Sequence, residues 1–209
     1  MFGFLGIYDY HFRHHSHLLA VRAEHRGSGL ARALKEAQRD HCLDQGVEVM
    51  AWDLDPFDGR HARFSFAKLG TYAREYRREL YGAGLAADRL YVEWPIGTDR
   101  TYKRLRGEDI APSLEDAERE GIRSLLHARG GAPEPGPAPG GESHLLLEIP
   151  SSGADEPWRE AARGAFEVAF AEGYAAVELL RSAEGRLAYL LVPQPRRASE
   201  PRASDLRAP

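Results

Sequence analysis

The sequence predicts an α/β fold of the α+β kind: a mixed β-sheet with flanking helices, followed by a C-terminal βαββ unit. Three observations predict it. A short apolar run, Leu18 to Val21, passes through Gly27-Ser28-Gly29 into helically spaced apolar residues, and a second apolar strand follows at 47–54. Beyond residue 144 the pattern reads strand, helix, strand, strand. Between the two parts lies Gly130-Gly131-Ala132-Pro133-Glu134-Pro135-Gly136-Pro137-Ala138-Pro139-Gly140-Gly141, a stretch that buries little and reads as a linker.

Met1 to Tyr8 and His15 to Val21 read as two antiparallel strands joined by residues 9–14. His11, His14, His15 and His17 crowd this region. Imidazoles suit zinc or nickel, but no Cys or carboxylate pattern completes a metal site, so no metal is expected. A histidine titrates near neutrality and can take a proton from an amine. His15 and His17, two apart on one strand face, are the candidate catalytic bases.

The turn after the second strand carries the clearest chemistry. Its helix starts at Leu30, with 30, 34, 37 and 41/42 on the apolar side and Arg32, Lys35, Glu36, Arg39 and Asp40 facing away. A helix start has unpaired N–H groups and partial positive charge, which suits an anion. Gly27 and Gly29 let a phosphate approach the backbone, and Ser28 offers a hydroxyl. A dinucleotide fingerprint needs a glycine where Arg32 stands, and a P-loop needs Gly-Lys-Ser/Thr; neither fits.

The helix ends near Gly46, and Val47 to Leu54 is a strand parallel to the one before it, completing a right-handed βαβ unit. Ligands gather at the carboxyl ends of such strands, which adds Asp53 and Asp55, either as substrate-side carboxylates or as turn residues. A short helix, Arg60 to Leu69, stops at Gly70. Arg60, Arg63 and Lys68 give it a basic face that either meets a phosphate or is simply solvated.

Two phrases in this order, Arg26-x-x-Gly29-x-Ala31 and Lys68-Leu69-Gly70, resemble the coenzyme-binding loop and following helix of the GNAT N-acyltransferases. The resemblance implies a GNAT-like fold and acetyl-CoA or another acyl-CoA as cosubstrate. Val21, Arg26, Gly27, Ser28, Gly29, Leu30 and Ala31 would bind it. It also implies direct attack of a small-molecule amine on the thioester, with backbone amides near Val21 polarising the carbonyl. Two departures stand out. His61 replaces an asparagine common at the helix start, and Phe66 replaces the tyrosine that protonates the leaving thiolate, leaving Tyr72, Tyr76, water or no acid at all in that role.

Thr71 to Tyr76 and Asp88 to Ile96 read as further strands. Asp88-Arg89-Leu90-Tyr91-Val92-Glu93-Trp94-Pro95 is similar to a little-described branch of GNAT acyltransferases with an extra C-terminal region. Thr98 to Arg106 reads as a basic helical turn and Ser113 to Leu126 as a helix capped by Ser113. The resulting organisation is 1–97 as the C-terminal half of a GNAT-like domain, 98–129 as a helical connector and 130–143 as the linker. The βαββ unit at 144–192 and a disordered tail at 193–209 follow. The βαββ unit is too small for a core of its own and should dock onto the first part. Within it, Arg159 and Arg163, four apart, either bind an acidic substrate or, as the plainer account, pair with Glu156 or Glu160 on the surface.

Bulk properties narrow the function. A net charge of −4 gives no global attraction to nucleic acid. No apolar run approaches ~18 residues, so no membrane partner is expected. The single cysteine, Cys42, excludes an internal disulfide, suits a cytoplasmic setting, and reads as a core thiol. A GNAT domain usually begins with a strand, two helices and two more strands, whereas residues 1–25 are all that precede the loop here. Completion of the sheet by the βαββ unit or by a second subunit, as a homodimer, stays open, as does a misplaced start or a true truncation. The expected function is acyl-CoA-dependent N-acetyl transfer. The rival is a catalytically inactive coenzyme-A-binding or interaction protein.

Overall fold

The computed structural model describes residues 1–8 and 11–194; the expected tail from 195 lies outside the described residues. Strands β1 (Phe2–Tyr8) and β2 (His11–Leu18) form an antiparallel hairpin. The second strand thus begins four residues earlier than the apolar run suggested, because pairing with β1 carries the histidine-rich segment into the sheet. Helix α1 (Leu30–Asp44) leads to β3 (Val49–Leu54), parallel to β2. Helix α2 (Gly59–Arg63) begins with the Asp58 carboxylate accepting from the His61 N–H and runs on as a wider π-turn over Phe64–Leu69. Gly70 ends it at φ 80°, a left-handed angle that favours glycine. Strands β4 (Tyr72–Arg77) and β5 (Arg89–Pro95) follow, and β5 inserts between β3 and β4.

Helix α3 (Asp99–Arg106) is capped by Thr98, as its residue order predicts. The expected helix at 113–126 is shorter. Helix α4 (Leu114–Arg119) closes a reciprocal capping box between Ser113 and Asp116. The chain then turns at Gly121 into β6 (Arg123–Arg129). Residues 123–129 have an amphipathic look that also suits a helix; pairing on both sides decides for strand, because β6 lies between β7 (Ala132–Pro135) and β8 (Leu145–Ile149). Part of the Pro/Gly stretch is therefore structured. Gly136 packs on β6, where a Cβ would lie 2.2 Å from the Ser124 carbonyl, and Arg123 donates to the Pro137 and Ala138 carbonyls. Helix α5 (Glu156–Ala171), β9 (Tyr174–Arg181) and β10 (Leu187–Pro193) complete the βαββ unit as expected.

Among the described residues ten strands lie in one sheet, ordered β1-β2-β3-β5-β4-β9-β10-β8-β6-β7. The order is a palindrome in architecture. The unit β3-α2-β4-β5 and the unit β8-α5-β9-β10 meet through β4 and β9, paired at Ala73 and Ala176. Each has an outer parallel neighbour, β2 or β6, that belongs to a hairpin. The main core lies on the α2 and α5 side: Met50, Trp52 and Leu54 of β3, Leu90, Val92 and Trp94 of β5, Phe66, and Phe166 against Tyr189. The βαββ unit thus docks by extending the sheet and sharing the core. Arg159 and Arg163 correct their expected role. They reach Asp55 at 3.4 Å and Asp88 at 2.7 Å in the first unit, because α5 lays them across the junction.

Candidate active site

Strands β2 and β3 are in register at His14–Met50 and His15–Ala51, although both continue for three more residues. Past His15 and Ala51 they part. The chain from Leu19 to Arg22 leaves the sheet, and the loop that follows leads into α1.

That loop is built from short local contacts. His25 N–H donates to the Arg22 carbonyl, Arg26 N–H to Ala23, and Arg26 Nε to the Val21 carbonyl at 3.3 Å. The Ser28 hydroxyl donates to the His25 carbonyl at 2.7 Å, which closes the turn and commits the proton that the sequence offered to a ligand. Gly27 and Gly29 sit at φ 82° and 85°, and a Cβ at either would meet nothing within 4 Å, so the need for glycine there is in the backbone angle. Helix α1 begins without a side-chain cap and with no acidic residue in its first turn. Its leading N–H groups and positive end are therefore exposed and unanswered by a side chain of its own, an arrangement that suits an anion.

On the sheet face away from α2, register brings Asp53, Tyr91 and Glu75 into one row across β3, β5 and β4. His15 Nε2 lies 3.6 Å from Asp53 Oδ2, at ion-pair rather than hydrogen-bond distance. Asp53 also receives Arg77 Nη1 at 3.2 Å and Tyr81 Oη at 3.2 Å. Arg77 stacks on Tyr91 with 3.8 Å to the ring centroid and donates to Glu75, to which the Tyr8 hydroxyl also donates. Phe4, Gly6, Ile7, Tyr8, Arg13, His15, Arg77 and Tyr91 line an open cleft of about 190 Å³ here. Behind it Glu93, which faces Arg13, also pairs with Arg74. Burial lowers the His15 imidazole below its ordinary range, against the opposing pull of Asp53, so the ring is neutral and basic near pH 7.

The four clustered histidines do not share one site. His17 is exposed among Phe2, Phe4 and His15, and among the described residues no carboxylate pairs with it. His14 faces the other side of β2, where its Nε2 meets Gln38 Nε2 at 2.8 Å. Among the described residues, no three His, Cys, Asp or Glu are arranged around a metal. Asp55 is a turn residue that accepts from the Phe57 N–H, while Asp53 joins His15. Phe66 is fully buried against Tyr189, and Tyr76 donates to Asp88. Sequence reading missed Tyr8, Arg77, Tyr81 and Tyr91; the two-residue alternation of Glu75 with Arg77 and of Tyr91 with Glu93 was the signal for their shared face.

The α1 face also differs from expectation. Its buried residues are Lys35, Gln38, Arg39 and Cys42, while Leu30 stays 41% exposed. Polar partners explain the rotation: Lys35 and Gln38 meet Ser16 on β2, and Arg39 Nε donates to the Ile96 carbonyl at 2.7 Å.

Residues 1–71 match the model of the acetyltransferase (GNAT) family. No curated protein matches the chain. The matched segment contains the hairpin, the open helix start, the parted strands and the helix ending at Gly70, and the mixed sheet with flanking helices is GNAT-like. Among the described residues no helix is long and apolar enough to cross a membrane. The match supports an acyl-CoA-dependent acetyltransferase in general, and over residues 1–71, about a third of the chain, the protein is similar to the GNAT family.

Proposed function

We propose that the protein transfers an acyl group, acetyl in the first instance, from coenzyme A to a small-molecule amine in the cytoplasm. One juxtaposition carries this reading: an uncapped helix start suited to a pyrophosphate lies at the same end of the β2–β3 opening as a neutral histidine paired with a buried carboxylate. Residues 26–31 hold the pyrophosphate. His15, oriented by Asp53, takes the proton from the amine as its nitrogen attacks the thioester carbonyl. Backbone amides after Leu18 receive the charge on the carbonyl oxygen. His17, exposed and without a carboxylate, is the weaker candidate for the base.

The inactive coenzyme-binding reading rests on Phe66, which leaves its position without a proton donor. Thermal melting with acetyl-CoA, together with a panel of amines scored by free thiol, separates the two. Acetyl-CoA raises the melting temperature of the parent but not of Gly29→Glu. His15→Gln then lowers thiol release by about 10²–10⁴-fold on an active amine while the thermal shift stays. A thermal shift with no thiol from any amine favours the inactive reading, and no thermal shift rejects both.

A further inference from the structure

The buried face of α1 places a cation where, among the described residues, no carboxylate answers it. Lys35 is 3% exposed. Its Nζ lies 2.7 Å from Ser16 Oγ, 3.5 Å from Gln38 Oε1 and 3.8 Å from the centroid of the Trp52 ring. Ser16 and Trp52 are the first residues of β2 and β3 beyond the last registered pair, so the ammonium sits at the head of the opening, on its helix side. Ser16 passes its own proton to Gln38 Oε1 at 3.0 Å, which leaves its remaining lone pair toward Lys35. Among the described residues Lys35 makes no ion pair. The titratable groups that sense its charge are His14 and His15 on β2, His61 on α2 and Cys42 on its own helix, and none is a carboxylate.

Burying an ammonium without a counter-ion is expensive, and it persists where an anion is to arrive. Acyl transfer produces such an anion: as the C–S bond breaks, its electron pair goes to sulfur. The opening has His15 and Asp53 on one face and Lys35 on the other, the arrangement a reaction needs when one group removes a proton and another supplies one.

We propose that Lys35 is the acid of the transfer: its ammonium stabilises the departing coenzyme thiolate and gives it a proton. The amine proton goes to His15, the C–N bond forms, the C–S bond breaks, and the thiolate takes a proton from Lys35. Solvent then removes the proton from His15 and returns one to Lys35, so the sum is amide and thiol. Burial brings the Lys35 ammonium down to about 7, where an acid works best near neutral pH. This inference rests on the coenzyme-binding reading above, and it gives the site the donor that Phe66 lacks.

The test compares coenzyme A with desulfo-coenzyme A, which lacks the thiol, and does not need the acceptor. Calorimetry from pH 6 to 9 gives both affinities, and ultraviolet thiolate absorbance gives the ionisation of the bound thiol. In the parent the bound thiol should ionise about 1–3 pH units below the free thiol. Coenzyme A should then bind tighter than the desulfo analogue by a factor that grows with pH, approaching about tenfold per unit of that shift only above the free thiol's own titration. Lys35→Met should abolish both effects and leave desulfo-coenzyme A affinity unchanged. A parent-bound thiol that titrates like the free one overturns the acid assignment while leaving coenzyme binding in place, and this titration of the parent decides even if the variant fails to fold. Failure of both ligands to bind overturns the coenzyme reading, and this assignment with it.

Discussion

At the scale of single residues, burial sets the pH behaviour. His14, His15 and His61 are each held below 6.5, chiefly by desolvation. The unfolded chain therefore binds more protons than the folded one just below that value, and stability falls as pH drops. Melting temperature should decline from pH 7 to about 5, before the carboxylates titrate, and His14→Asn should flatten that decline. Lys35 works over a different window. Its folded value of about 7 lies below its ordinary 10.5, so between them the unfolded state holds the extra proton and stability rises with pH. Lys35→Met should be more stable than the parent by about 1–2 kcal/mol at pH 6, a gap that narrows toward pH 10 in melts followed by circular dichroism. A pH-independent gap would mean that the gain comes from packing alone.

Among the elements, α1 carries both the best and the worst of the sequence reading. Its start was legible because the glycine spacing and the strand before it left few alternatives. Its inward face was not, because Leu30, Leu34 and Ala37 form the stronger apolar stripe, while hydrogen-bond partners for Lys35, Gln38 and Arg39 come from β2 and the end of β5. The start gives a sharp experiment. Gly29→Ala strains a left-handed angle without a clash and should lower stability by about 1 kcal/mol while keeping the acetyl-CoA shift. Gly29→Glu adds a carboxylate at the mouth and should abolish that shift. Equal binding by both variants would remove the loop from the site. Strand β6 teaches the converse lesson: a segment that fits either periodicity is decided by its neighbours, here β7 and β8.

The whole molecule is held at the β4–β9 junction by pairs that span the two units. Asp88 is fully buried, and although burial raises its carboxyl, hydrogen bonds from Arg163, the Glu79 N–H and Tyr76 hold it below 3.8. Its stabilising share is present above that value and is lost in stronger acid. Arg163→Met strands the carboxylate and should destabilise by about 3 kcal/mol in urea melts, with most of the loss recovered in the double variant carrying Asp88→Asn. At the far end, β1 is an edge strand with Phe2, Phe4, Leu5 and Ile7 each about half exposed or more and no charged side chain between Phe2 and Tyr8. Such an edge invites pairing with a second copy. Sedimentation should show a concentration-dependent dimer that Leu5→Lys converts to monomer; a monomer at all concentrations would dismiss the homodimer.

From sequence alone came the fold class, the βαβ around the glycine loop, the C-terminal βαββ unit and the helix start at Leu30. These are local: periodicity, glycine spacing and caps act over a few residues, and the order of elements excludes most alternatives. Tertiary structure alone decided that His15 meets Asp53, that β4 and β9 merge two units into one sheet, and that Lys35 turns inward. Each depends on strand register or helix rotation, which bring together residues far apart in the chain and which no local pattern encodes. The loop proposed to hold the phosphate was thus readable in the chain, whereas the groups that would move protons were placed by the sheet.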